Sequence, residues 1–128
     1  MEEKNNSFFG LYSEVIDREG NSHKVYSCKL KDLNKLVKFT MAYNPLYLQI
    51  QALEPWLDEK GEQKLDEKKE PMFMFQNPTF MNGIFEVIEM ALDYKETRKE
   101  IEEWADFKLI NEIIQEFLGL SQFKKKVS

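Results

Sequence analysis

The sequence predicts an α+β fold, mostly α: an N-terminal β-hairpin, then a small helical bundle, with a second short hairpin weighed over 46–75. Three observations predict it. Strand-favouring residues flank a Gly-Asn turn near the start of the chain. Apolar residues recur every three or four positions through the C-terminal third. The chain has 128 residues, 42% of them hydrophobic, enough for a single domain around one modest core.

Phe8 to Ile16 and Lys24 to Leu30 flank Asp17-Arg18-Glu19-Gly20-Asn21-Ser22. Val15, Ile16, Val25 and Tyr26 favour strands, and Gly20-Asn21 marks the turn between them. His23 lies near the end of that loop and reads as exposed. Cys28 reads as a small buried apolar residue. Leu30, Leu33, Leu36, Val37 and Met41 then take helical spacing, with Asp32 in the first turn where a negative charge suits the helix dipole. That helix ends before Asn44-Pro45, because the residue before proline avoids helical angles.

The next stretch carries two patterns. Leu46, Leu48, Ile50 and Ala52 alternate with Gln49 and Gln51, which favours a strand. Asn44-Pro45 also suits a helix start, and Leu46, Ile50 and Leu53 fit a helix. The strand is the preferred reading, and Pro55 stops either one. Charges of both signs dominate residues 58–70, where Leu65 is the only apolar residue, and the stretch reads as a mobile loop or a hairpin insertion. Their acids lack the alternation of a calcium loop. Met72-Phe73-Met74-Phe75 reads as a core strand pairing with 46–53, the alternative being an apolar segment exposed for a partner. No internal repeat is evident.

Asn77-Pro78 opens a clear helix, as N-cap and first residue. Phe80, Met81, Ile84, Phe85, Val87, Ile88, Ala91 and Leu92 give it a broad apolar face. The short Tyr94–Glu96 connection predicts an antiparallel neighbour. Thr97 and Glu100 have capping-box spacing. Ile101, Trp104 and Ala105 follow, and Asp106 is placed to cap a fresh start, so this region is either one bent helix or two. Ile110, Ile113, Ile114, Phe117 and Leu118 form one stripe, with Asn111, Glu112, Gln115 and Glu116 opposite. Gly119 suits a left-handed C-cap, with Leu120 folding back on the last turn. The tail at 124–128 is basic and reads as frayed.

A net charge of −5 argues against a general nucleic-acid binder. One cysteine and one histidine exclude an internal disulfide, a cysteine zinc site and a multi-histidine metal site. MEEKNNS is polar, so no signal peptide is expected, and no apolar run is long enough to span a membrane. A reducing compartment is expected. The glycines are scattered rather than gathered in a phosphate loop, and there is no Gly-x-Ser-x-Gly elbow. Cys28 and His23 lack an orienting third group. Glu102-Glu103 and Glu112 with Glu116 sit on faces expected to be wet. No enzyme activity, cofactor or metal is expected.

The "CKLKDLNKL" approach to the first helix and the final "KEIEEWADFKLINEIIQEFLGLS" together resemble the tail assembly chaperones of long-tailed bacteriophages and prophages of Gram-positive hosts. The last stretch carries most of the likeness: an acidic, Trp-containing turn, then a helix ending Phe-Leu-Gly-Leu. The resemblance implies a non-enzymatic assembly factor that coats the tape measure protein before the tail tube polymerises around it. It implies action in the host cytoplasm, absence from the mature virion, and contact with the tail tube protein and with further copies of itself as additional expectations. Members are often made in two lengths by ribosomal slippage. Lys124 to Lys126, necessarily AAA or AAG codons, supply a suitable base run, though a basic tail complementing the acidic body is the simpler account. A tape measure protein presents long apolar helices that aggregate if bare. The candidate contact residues are Trp104, Phe107, Phe117, Leu118, Leu120 and Phe123. Phe117 and Leu118 are in phase with the isoleucines, which favours the core for them; Phe107 is out of phase and Phe123 lies beyond the glycine. The competing reading is a small acidic regulator or inhibitor that binds a host or phage protein.

Overall fold

The computed structural model describes residues 12–121. The candidate contact Phe123, the basic tail at 124–128 and the proposed strand start at Phe8 lie outside them. The order is a β-hairpin, β1 (Tyr12–Ile16) and β2 (Ser22–Tyr26), then five helices. These are α1 (Leu33–Ala42), α2 (Leu48–Ala52), α3 (Pro78–Ala91), α4 (Arg98–Trp104) and α5 (Phe107–Leu120). One core cluster joins them.

The hairpin is antiparallel, with Val15 opposite His23 and Ser13 opposite Val25. Asp17 builds its turn. Its N–H donates to Asn21 O at 2.9 Å, Gly20 N–H returns to Asp17 O at 3.0 Å, and Gly20 takes φ 90°. That is a type I turn closed by a left-handed glycine bulge. Val15 and Val25 point into the core.

α1 is rotated from the expected stripe. A 3₁₀ turn at Leu30–Asp32 precedes it, so the helix proper begins at Leu33 and its buried face is Leu36 and Phe39. Leu30 and Met41, expected on that face, are exposed.

The strand preferred for 46–52 is a helix instead. Asn44 Oδ1 accepts the Leu46 N–H at 3.0 Å, Pro45 starts a 3₁₀ turn over Pro45–Tyr47, and α2 continues from it. The Gln51 side chain donates back to Asn44 O at 2.7 Å. The cap therefore overrides the alternation. With 46–52 helical, the hairpin pairing it to Met72–Phe75 does not form.

What forms is a self-contained folded segment over 54–74. Trp56 N–H donates to Met72 O (3.0 Å), Met72 N–H to Lys64 O (2.9 Å) and Lys64 N–H to Trp56 O (2.8 Å). Three residues eight apart thus close a ring of backbone hydrogen bonds. Between them, Leu57-Asp58-Glu59-Lys60-Gly61-Glu62 and Leu65-Asp66-Glu67-Lys68-Lys69-Glu70 fold alike. Asp58 Oδ1 accepts from Lys60 and Glu62 N–H, and Asp66 Oδ1 from Lys68 and Glu70 N–H. Gly61 has φ 83° and its counterpart Lys69 has φ 66°. The expectation of no internal repeat is corrected here: an eight-residue repeat is present, and each copy reuses the turn seen at Asp17. The charged stretch is a pair of hydrogen-bonded turns.

The remaining starts match expectation. Asn77 Oδ1 caps α3 through Thr79 N–H at 2.9 Å. Thr97 and Glu100 form a reciprocal capping box on α4. Asp106 Oδ1 accepts from Leu109 N–H at 2.8 Å, which makes α4 and α5 two helices rather than one bent one. The end of α5 differs. Gly119 stays inside the helix, and Ser121 follows, its N–H on Phe117 O at 2.9 Å and its Oγ accepting Cys28 N–H at 2.8 Å. Anchoring Ser121 to the hairpin exit takes the place of a glycine cap. Between α3 and α4, Asp93 and Tyr94 both take positive φ. Asp93 pairs with Lys29 at 3.0 Å, and the Tyr94 hydroxyl donates to Asp32 at 2.9 Å. Burial, then that bond, push the phenol up to about 12.

A left-handed lysine strains the second turn where its twin holds glycine. Lys69→Gly is expected to stabilise the fold by about 1 kcal/mol, seen as a higher urea midpoint. An unchanged midpoint would show that the turn releases its strain elsewhere.

Candidate interaction surface

α2 is too short to bury more than one side. Leu48 and Ala52 point inward, each 1% exposed, and α2 packs against α5. Gln115 on α5 donates to Pro45 O at 3.3 Å and ties down the start of the segment. The other side is left outward: Leu46 at 58%, Ile50 at 60% and Leu53 at 64% exposed, with half-exposed Tyr47 beside them. Positions 46, 50 and 53 are one helical stripe. From Asn44 to Leu53 there is no Asp, Glu, Lys or Arg, in a chain that is 32% charged. Isolated exposed leucines need no explanation, but three apolar side chains in one uncharged stripe make a candidate contact face.

The residues expected to make contacts divide differently. Phe117 is 0% and Leu118 7% exposed, so both belong to the core and present no surface. They share the stripe of Ile110, Ile113 and Ile114, and that phase decides their burial. Trp104, Phe107 and Leu120 are half-buried and packed against the core. Leu46, Ile50 and Leu53 were missed because the alternating pattern put Leu46 and Ile50 on the same inner face as Leu48 and Ala52.

Trp104 is held in a buried polar cluster. Its indole N–H donates to Glu96 Oε1 at 2.7 Å, and its ring stacks on His23 at 3.7 Å between centroids. His23, expected to be exposed, is only 9% exposed. Its Nδ1 lies 2.7 Å from Glu96 Oε2 and its Nε2 2.8 Å from Asp17 Oδ2. With a carboxylate at each nitrogen, both hydrogen bonds form only when both nitrogens carry protons. The cluster links the hairpin turn to α4. The signal was present in the sequence: His23 and Val25 are two apart on one strand and share its inward face.

This arrangement leaves neither His23 nitrogen open to act as a base toward Cys28. The Cys28 thiol is itself pushed up, by burial and then by Asp32, which is the opposite of nucleophile activation. Among the described residues no group of His, Cys, Asp and Glu could hold a metal ion, and no helix is long and apolar enough to cross a membrane.

Asp17 titrates low. The His23 hydrogen bond is the largest cause, burial opposes it, and the Asn21 and Glu19 N–H groups add to the lowering. A carboxyl lowered by folding contributes stability above its unfolded value that is lost as pH falls through the folded one. Stability is therefore expected to decline as the pH drops below the ordinary 3.8 of this group, with a shallower decline in Asp17→Asn. Urea midpoints across the acid range read this out; parallel declines in both proteins would contradict it.

No protein-family model, curated protein or solved structure matches this chain.

Proposed function

We propose that this protein is a non-enzymatic assembly chaperone of a long-tailed phage or prophage. In this reading it covers apolar helices of the tape measure protein in the host cytoplasm and leaves before the virion is complete. The observation that carries the reading is the uncharged stripe of Leu46, Ile50 and Leu53 on a molecule whose net charge is −5. The stripe supplies an apolar contact, and the surrounding charge keeps the covered complex in solution. The resemblance of the stretch 99–121 to tail assembly chaperones supports the same reading and names the partner.

The contact physics sets the scale. Each of the three side chains is more than half exposed, so covering it contributes about 1 kcal/mol. A stripe of this size holds a partner reversibly, and reversible holding is what a factor that must be displaced requires.

Co-expression with the tape measure protein from the same genome tests the proposal. Wild-type chain is expected to move that protein into the soluble fraction. The double variant Ile50→Glu, Leu53→Glu is expected to lose this effect while its own thermal midpoint changes little, since both positions are outside the core. A tape measure protein equally insoluble with and without the wild-type chain would sink the proposal.

A further inference from the structure

Gly83 sits in the middle of α3, where glycine is among the least favourable helix residues. Nothing in the fold requires it. Its backbone is ordinary, and a Cβ added there would meet only Phe39 Cδ1 and Tyr43 Cε2, both at 3.8 Å, normal contact distance. On its outer side lies an open channel of about 610 Å³ between α1 and α3, with Phe39 and Tyr43 along one wall and Phe85 along the other. Gly83 lines that channel together with Phe39 and Tyr43, the two rings that a Cβ there would meet, so a methyl group at 83 would take up part of its floor.

The walls are oppositely charged. α1 contributes Lys35 and Lys38, and α3 contributes Glu86 and Glu89. Lys35 and Glu86 approach across the channel to 3.7 Å, but each is more than half exposed, so the pair is weak and parts easily. At the α4 side, the Arg98 guanidinium lies over the Phe85 ring at 4.4 Å and is tied to Glu102 at 3.0 Å.

We propose that this channel seats a partner's amphipathic helix, lying between α1 and α3 with its backbone close over Gly83. The charges choose the occupant: acidic residues on the flank facing Lys35 and Lys38, basic residues on the flank facing Glu86 and Glu89, and small or apolar residues between. A helix of uniform charge meets repulsion on one wall. The inference rests on the chaperone reading and deepens it, adding a second, orientation-selecting contact to the uncharged stripe on α2. It also accounts for a glycine that the fold alone does not explain.

The test uses the full chain and the tape measure protein, comparing wild type, Gly83→Ala and Lys38→Glu. Gly83→Ala is expected to melt about 4 °C higher, because a helix-favouring residue replaces glycine without a clash. It is also expected to bind at least tenfold more weakly, because the added methyl raises the floor. Lys38→Glu is expected to bind more weakly with an unchanged melting temperature. Wild-type affinity in Gly83→Ala, alongside lost binding in Ile50→Glu, overturns the channel and leaves the chaperone reading standing. A lower melting temperature in Gly83→Ala would show the glycine serving the fold and would also overturn the channel. Failure of the wild-type chain to bind overturns both readings.

Discussion

The buried stripe of α5 is the constraint on which the other elements depend. Ile113, Ile114 and Phe117 are fully enclosed, and β1, β2, α2 and α3 all pack on this helix. Each of those elements has one face to give, and α5 takes it: Val15 and Val25 from the hairpin, Leu48 and Ala52 from α2, the broad face of α3. The arrangement puts a long apolar stripe at the centre of the core and settles what remains outside. A helix of five residues that gives Leu48 and Ala52 to α5 turns Ile50 to water, and Leu46 and Leu53 flank it on the same outward side. The exposed apolar stripe on α2 is thus a consequence of how the core is filled.

Much of the fold was legible because helix starts carry their own chemistry. Asn77, Thr97 with Glu100, and Asp106 each accept, through a side-chain oxygen, from backbone N–H groups at a helix start, and each was visible as a residue type at a spacing. Over 44–53 two local signals conflicted, alternation against an Asn-Pro cap, and the cap prevailed because it satisfies backbone donors directly. The turns at Asp58 and Asp66 were hidden by composition. Dense charge suggests solvation, whereas the aspartate of each turn is spent on two backbone N–H groups, as Asp17 is in the hairpin. Gly119 misled because a helix end can be anchored by a residue beyond the glycine, here Ser121.

The candidate site was less legible, for a reason in the physics. Periodicity identifies a stripe but not which neighbour covers it. Phe117 and Leu118 looked like either core or contact, and only the packed structure separates those. Leu46 and Ile50 were apolar in both readings of their segment; the change from strand to helix moved them from inside to outside. The inward face of His23 was legible in its spacing from Val25, but its partners, Asp17 and Glu96, stand 6 and 73 residues away and no local pattern links them. Buried polar clusters of this kind hold elements in register, and the one at His23 fixes the hairpin turn against Trp104.

The core helix, the uncharged stripe on α2 and the polarised channel at Gly83 describe a small acidic body with two candidate contact places. The central claim is that the outward side of α2 meets another polypeptide's helix. Site-specific photocrosslinking reads this directly. A photoreactive amino acid at position 50 is compared with one at Glu59, on the first charged turn, in cells also making the tape measure protein. The account predicts a crosslinked adduct with the tape measure protein from position 50 and little from position 59. Equal yields at the two positions, or no adduct from position 50, would contradict it.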